Sequence, residues 1–139
     1  MFVGLYNYSI DSKNRVFIPA RFRRSNRLII TIGLDECLYI YPQDRWEKLE
    51  NKLDTLPFKD KSEERAFKRI WLSGATEVKI DKQGRILIPF NLRRYAKIKN
   101  DVVIIGVSSR IEIWSKSVWE KYTKLSGKLF AKHSTALEL

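Results

Sequence analysis

Apolar positions along the chain recur in one order, twice. Residues 3–9 alternate weakly between apolar and polar and predict a strand. Val16–Ile18 is a short apolar run closed by Pro19. A residue before proline is biased to extended geometry, and proline fits the first helical position, where its missing N–H is not needed. A short helix is therefore expected next, with Phe22 as its inward anchor. Leu28–Ile32 and Leu38–Tyr41 flank Gly33-Leu34-Asp35-Glu36, the pattern of a hairpin. Trp46, Leu49 and Leu53 stand at helical spacing over Gln43–Leu56. Ala66, Phe67, Ile70 and Trp71 do the same over Asp60–Ser73, with Gly74 as the stop. Strands are expected again over 76–80, 86–88, 102–107 and 111–114. A final helix should start near Ser115, carry Val118, Trp119, Tyr122 and Leu125, and end at Gly127. Residues 131–139 read as a frayed tail. The class is α+β with short strands.

The two orders share specific residues. Ile10, Asp11, Arg15, Ile18, Pro19, Arg23 and Arg24 match Ile80, Asp81, Arg85, Ile88, Pro89, Arg93 and Arg94 at a constant offset of 70. Further on the offset drifts to 73, where Trp46-Glu47-Lys48 matches Trp119-Glu120-Lys121. Halves of this size are too small for a good core alone. One fused body with the halves related by an approximate twofold axis is the natural solution, so the chain reads as a covalent dimer. The expected division is a first unit with its following helix over 1–56, a connecting helix over 57–75, a second unit with a C-terminal helix over 76–130, and a flexible tail over 131–139.

Composition sharpens the function class. The chain has 139 residues, with 27 Lys and Arg against 16 Asp and Glu, a net charge of +11. The excess lies on both halves: 14 basic against 10 acidic groups in 1–74, and 13 against 6 in 75–139. A basic folded body attracts polyanions, nucleic acid first. The single cysteine, Cys37, reads as a small buried hydrophobe and fits a reducing compartment. With one Cys and one His (His133), no structural zinc site and no Ser-His or two-His catalytic device is expected. No metal-ligand cluster, Gly-rich phosphate loop or nucleophile–base pair marks an enzyme, so no cofactor and no small-molecule substrate is expected. The start MFVGLYNYS lacks the features of a signal peptide, and the apolar runs are too short for a bilayer, so a soluble cytoplasmic protein is expected.

The repeated turns carry the candidate chemistry. In Asp11-Ser-Lys-Asn-Arg15 and Asp81-Lys-Gln-Gly-Arg85, the aspartate can accept backbone N–H bonds from the residues ahead and fix the loop. The fourth position is Asn14 in one copy and Gly84 in the other, the two residues most tolerant of positive φ. Each arginine can pair with its aspartate as a structural bridge or project outward. Lys13 and Lys82 sit in the loops, and the helix starts add Arg23, Arg24, Arg93 and Arg94, with Arg21 and Arg27 beside the first pair. Guanidinium groups on a rigid turn suit phosphates and guanine edges. The four tryptophans, Trp46, Trp71, Trp114 and Trp119, fall at apolar-periodic places and are expected in the core or in subunit contacts rather than as a base-stacking platform.

The doubled D-x-x-x-R turn, each followed by an apolar strand, I-P and a basic helix start, resembles the MraZ family, as do the opening MFVGLY and the repeated Trp-Glu-Lys. The resemblance implies two tandem AbrB-like swapped-hairpin β units with pseudo-twofold symmetry, forming one small β-barrel with flanking helices. It implies a nucleoid-associated bacterial transcriptional regulator that binds tandem short duplex DNA boxes upstream of its own division and cell-wall operon and represses it. It further implies a ring-shaped homo-oligomer, often of about eight chains. Carried over residue by residue, the DNA contacts fall on Lys13, Arg15, Arg23 and Arg24 and on Lys82, Arg85, Arg93 and Arg94, with Asp11, Asn14, Asp81 and Gly84 fixing the turns. Asn14 departs from the more usual glycine, which Gly84 keeps. The alternative is an AbrB-like assembly module whose arginines meet an acidic protein.

Overall fold

The computed structural model describes residues 1–138. Eight strands and four helices alternate in the doubled order. β1 (Phe2–Ser9), β2 (Arg15–Phe17), β3 (Arg27–Ile32) and β4 (Leu38–Pro42) are followed by α1 (Gln43–Leu53) and α2 (Lys61–Ser73). β5 (Thr76–Lys79), β6 (Arg85–Leu87), α3 (Phe90–Tyr95), β7 (Asp101–Ser108), β8 (Arg110–Ser115) and α4 (Lys116–Ser134) complete the chain.

The halves are interleaved. β1 pairs not with the hairpin of its own half but with β7, from Phe2 opposite Ser108 to Ser9 opposite Asp101. β5 returns the exchange by pairing with β3, Leu28 opposite Val78. The result is a six-stranded antiparallel sheet in the order β1-β7-β8-β4-β3-β5, whose central pair β8–β4 joins the two hairpins. β2 and β6 form a separate two-stranded ribbon, with Val16 opposite Ile86.

Strand alternation decides the layering, because successive side chains point to opposite faces. The inner face presents Leu28, Ile30, Leu38, Ile40, Val102, Ile104, Ile111 and Ile113, all buried. Against it pack Val16, Ile18, Ile86 and Ile88 from the ribbon and Phe22 and Leu92 from the short helices. Each such side chain contributes about 1.5–3 kcal/mol through removal from water. The outer face carries a second cluster, Cys37, Val103 and Trp114, with Trp119 of α4 packed on it. Gly106 lets β1 approach: a Cβ there would collide with the backbone of Phe2 and Val3.

Several local expectations change. The short helix of the first half is a single 3-10 turn, Ala20–Phe22, whereas its counterpart α3 is an α-helix. Ser25 accepts the amide of Arg27 through its hydroxyl and bends the chain, and Asn26 follows; Tyr95 and Ala96 let α3 continue. β2 and β6 begin at Arg15 and Arg85, one residue early. α1 stops at Leu53, before the expected Leu56. α4 does not end at Gly127 but runs on to Ser134. Gly127 faces open space, and the ~1 kcal/mol it costs relative to alanine is outweighed by helix formers on both sides. Of the residues read as a tail, 131–134 therefore continue α4 and Thr135–Leu137 form a 3-10 turn; Leu139 lies outside the described residues. α2 starts as read, with Asp60 accepting the Glu63 amide at 2.8 Å as N-cap.

Candidate nucleic-acid interface

The two D-x-x-x-R turns are built alike. Asp11 Oδ1 accepts the backbone amides of Lys13 and Arg15, both at 2.9 Å, and Oδ2 accepts Arg15 Nε at 2.9 Å. Asp81 Oδ1 accepts the amides of Gln83 and Arg85 at 2.9 Å, and Oδ2 accepts Arg85 Nε at 3.3 Å. Backbone bonds close each turn: Asn14 N–H to Asp11 O and Gly84 N–H to Asp81 O, both 3.0 Å. This closure needs left-handed backbone at the fourth position. Asn14 takes φ 62° and Gly84 takes φ 83°, so two different residues meet one requirement.

These bonds hold both carboxyls below the ordinary Asp value of 3.8. The amide of the arginine in the same turn is the largest cause in each case, and partial desolvation opposes it. The aspartates are turn-fixing residues, and both arginines make the structural pair. Arg15 does so through Nε, which leaves its terminal nitrogens off that carboxylate.

The turns sit side by side because the β2–β6 ribbon crosses their ends. Ile18 N–H donates to Gly84 O at 2.9 Å, and Ile88 N–H donates to Asn14 O at 3.0 Å. Arg23 Nε donates to Ile18 O at 2.7 Å, and Arg93 Nη1 donates to Ile88 O at 2.9 Å. The first arginine of each pair is thereby tied to the strand that meets the other half's turn. Arg23 also lies 4.5 Å from the Phe17 ring centroid, and Arg93 lies 5.6 Å from that of Phe90. Phe17 and Phe90 were not singled out in the sequence; the one available signal is an aromatic within a few residues of the arginine pair.

Arg15, Arg23, Arg85 and Arg93 are brought together around the turns, with Lys13 and Lys82 exposed on the loops. The second arginines are not drawn in. Arg24 lies over the Phe2 ring at 4.5 Å, and Arg94 is exposed without an ion-pair partner among the described residues. Six basic side chains thus surround two carboxylates on one ribbon end. Such a surface can accept phosphates, and its planar forks can meet base edges.

The tryptophans lie elsewhere. Trp46 and Trp114 are buried on the outer side of the sheet, Trp46 stacking on Trp71 at 4.5 Å and Trp114 meeting Trp119 edge-on at 5.2 Å. Cys37 is buried and its thiol is pushed well up, first by burial. Among the described residues, no group of three or more His, Cys, Asp or Glu side chains is placed to hold a metal, and no helix is long and apolar enough to cross a membrane.

Comparison with known proteins agrees with the doubled geometry. The family described as "MraZ protein, putative antitoxin-like" matches twice in tandem, over residues 1–70 and 71–139. The chain is 55% identical to the transcriptional regulator MraZ of Caldanaerobacter subterraneus subsp. tengcongensis over 126 residues, 89% of this chain and 87% of that protein. It is 51% identical to the protein of the same name from Thermoanaerobacter pseudethanolicus over 144 aligned residues, covering all of both chains. A third relative of that name, from Pelotomaculum thermopropionicum, is 57% identical over 124 residues, 88% of this chain and 85% of that protein.

Proposed function

The chain belongs to the MraZ family, and from that premise we propose that it is a sequence-specific, DNA-binding transcriptional regulator. The relatives bear the name of a regulator, and the family is not an enzymatic one. The observation that carries the reading is the paired arrangement of the turns: Arg15 and Arg85, with Lys13 and Lys82, on one rigid ribbon end. Lysines and the helix-start arginines give phosphate contacts and position; Arg15 and Arg85 give base readout in the major groove. Arg24 and Arg94 stand farther out and extend the phosphate contacts. The exchange of β1 and β5 between halves supports the AbrB-like swapped-hairpin reading, with sheet and ribbon closing into one small barrel around the shared core.

In this reading the protein sits on the nucleoid and represses its own division and cell-wall operon from tandem short boxes upstream. Copies joined head to tail close into a ring of about eight chains. Ring assembly compensates for modest single contacts, because linked units on spaced boxes bind at effective concentrations that reach the mM range.

Titration of labelled upstream duplex against scrambled duplex, with wild type and Arg15→Ala at several salt concentrations, tests the proposal. The expected result is preference for upstream DNA, affinity that falls steeply with salt, and loss of preference in the folded variant. Equal binding of both duplexes, unchanged by the substitution beyond one charge, would leave the turn as a structural pair and favour an acidic protein partner.

A further inference from the structure

The two D-x-x-x-R turns share a backbone but not their surroundings. Each is entered from an edge strand paired with the other half. At the first turn Ser9 stands opposite Asp101, and Ile10 N–H donates to Asn100 O at 2.8 Å. At the second turn Lys79 stands opposite Arg27, and Ile80 N–H donates to Asn26 O at 2.9 Å. The pseudo-twofold therefore maps Ser9 and Asp101 onto Lys79 and Arg27.

The side chains at these equivalent places differ in charge. Residues directly opposite on antiparallel strands share a face, and like charges there are destabilising. Ser9 and Asp101 satisfy each other, with Ser9 Oγ donating to Asp101 Oδ1 at 3.0 Å. Arg27 and Lys79 are two exposed cations side by side. Arg27 Nε lies 3.4 Å from Glu77 Oε1, but both partners are about half exposed, and bridges of that kind are worth little. Lys79 makes no ion pair among the described residues. A bound anion would relieve this like-charge pair.

The second turn opens onto the same pair. A cleft of about 450 Å³ is lined by Asn26, Arg27, Lys79, Ile80, Asp81 and Lys82. Lys82 adds a third exposed cation where the first loop has Ser12. Asp81, the acid in this lining, is already engaged by the amides of Gln83 and Arg85 and by Arg85 Nε. At the mirror place the cleft is smaller, about 290 Å³. It sets Asp101 against Lys116 and includes no residue of the first turn.

We propose that Arg27, Lys79 and Lys82 form a seat for duplex phosphates beside the second turn, and that the first turn has no such seat. Phosphate contacts carry no sequence information, but they fix register and orientation. The chain therefore takes its box in one orientation, with the Asp81 turn toward the phosphates that flank it. The proposal rests on the DNA-binding reading above and deepens it. Arg27 and Lys79 lie outside the residues that the repeat matches, and they break the symmetry between the halves.

Salt titrations on upstream and scrambled duplex test the seat with two variants of equal charge. Arg27→Gln/Lys79→Gln removes two exposed cations at the seat, and Lys99→Gln/Lys116→Gln removes two on the mirror side. The first variant is expected to fold, since it relieves a like-charge pair. It should weaken both duplexes alike and lower the salt slope by about 2. The second should leave the slope unchanged. Equal loss in the two variants would assign the effect to net charge and overturn the seat. Wild type with no measurable duplex affinity would overturn the DNA reading and the seat together. Wild type that prefers upstream DNA, with Arg27→Gln/Lys79→Gln keeping its slope, would overturn the seat alone. Orientation is read by an iron chelate on Asn7→Cys or Glu77→Cys, exposed positions related by the offset of 70, on a duplex cut down to one box. Buried Cys37 takes no label. Each label is expected to cleave one side of the box only, and cleavage on both sides from either label would overturn the fixed orientation.

Discussion

Arg85 reaches across the ribbon to Asp11: its Nη1 lies 3.4 Å from Asp11 Oδ2 while its Nε lies 3.3 Å from Asp81 Oδ2. Arg15 pairs with Asp11 at 2.9 Å, and among the described residues it makes no return bridge to Asp81. Asp11 therefore serves two guanidinium groups and Asp81 serves one. Asp11→Asn is expected to lower the melting temperature more than Asp81→Asn. It should also speed exchange of the turn amides of both Lys13 and Gln83, whereas Asp81→Asn should loosen Gln83 alone. Thermal unfolding with amide exchange reads both effects; equal shifts in the two variants would count against the bridge.

The fourth turn position predicts a second asymmetry. Gly84 is buried at φ 83°, and a Cβ there would collide with the guanidinium of Arg23. Gly84→Ala is expected to cost about 1–2 kcal/mol from left-handed strain and to push Arg23 off the second turn. Asn14→Gly relieves a milder strain at φ 62° and is expected to stay within about 0.5 kcal/mol of wild type. Denaturant unfolding of the two variants checks the ranking.

Much of this was legible in the sequence because the repeat wrote it twice. Positive φ at Asn14 and Gly84 followed from two turn-tolerant letters at one position. The four-residue spacing made the Asp–Arg pair one of two readings, the other being an outward-projecting arginine, and the structure forms the pair. The strand exchange between β1 and β7 was not readable from periodicity. Alternation places Leu5 and Tyr6 on opposite faces but does not say which hairpin receives the strand. The tie from Arg23 to the Ile18 carbonyl was hidden for a similar reason, since it depends on where the ribbon crosses the turns. The run of α4 through Gly127 was missed because an exposed helix tolerates one glycine.

Acid should act on the turns in a defined window. Both aspartates titrate below the ordinary 3.8, chiefly through backbone amides they accept from Arg15 and Arg85. A depressed folded value means the stabilisation is complete above the unfolded pKa and is lost as pH falls through the folded one. The turns are therefore expected to keep their amide protection at pH 5 and to lose it only below 3.8. A carboxyl-detected NMR titration of Asp11 and Asp81 reads this directly, and midpoints at or above the ordinary value would show that the amide network is absent in solution.

Lysine and arginine on the same turn should fail differently. Lys13 and Lys82 are exposed, with mobile single charges suited to phosphate. Lys13→Gln or Lys82→Gln is expected to weaken binding to all duplexes alike and to reduce the salt slope by about 1. Arg15→Ala should lose about 1–3 kcal/mol of discrimination between the upstream box and a scrambled one. Parallel salt titrations on both duplexes separate the two behaviours.

Interleaving makes a prediction about severed chains. The first half supplies Val16, Ile18, Phe22, Leu28, Ile30, Leu38 and Ile40 to one core, and the second supplies Ile86, Ile88, Leu92, Val102, Ile104, Ile111 and Ile113. At about 1.5–3 kcal/mol per buried side chain, losing either set removes about 10–20 kcal/mol, as much as or more than the whole stability of a typical domain, about 5–15 kcal/mol. The exposed turn after α1, Asp54–Pro57, is the place to cut without breaking a strand. Fragment 1–56 alone would leave β1 without β7 and β2 without β6. It is expected to be unfolded or to self-pair as a homodimer, with a second copy standing in for the missing half. Mixed with fragment 57–139, it should form a 1:1 complex that recovers the circular dichroism of the intact chain. A folded monomer of 1–56 would show that the hairpin accepts its own first strand, and the exchange would then be a consequence of covalent linkage rather than of the sequence of each half.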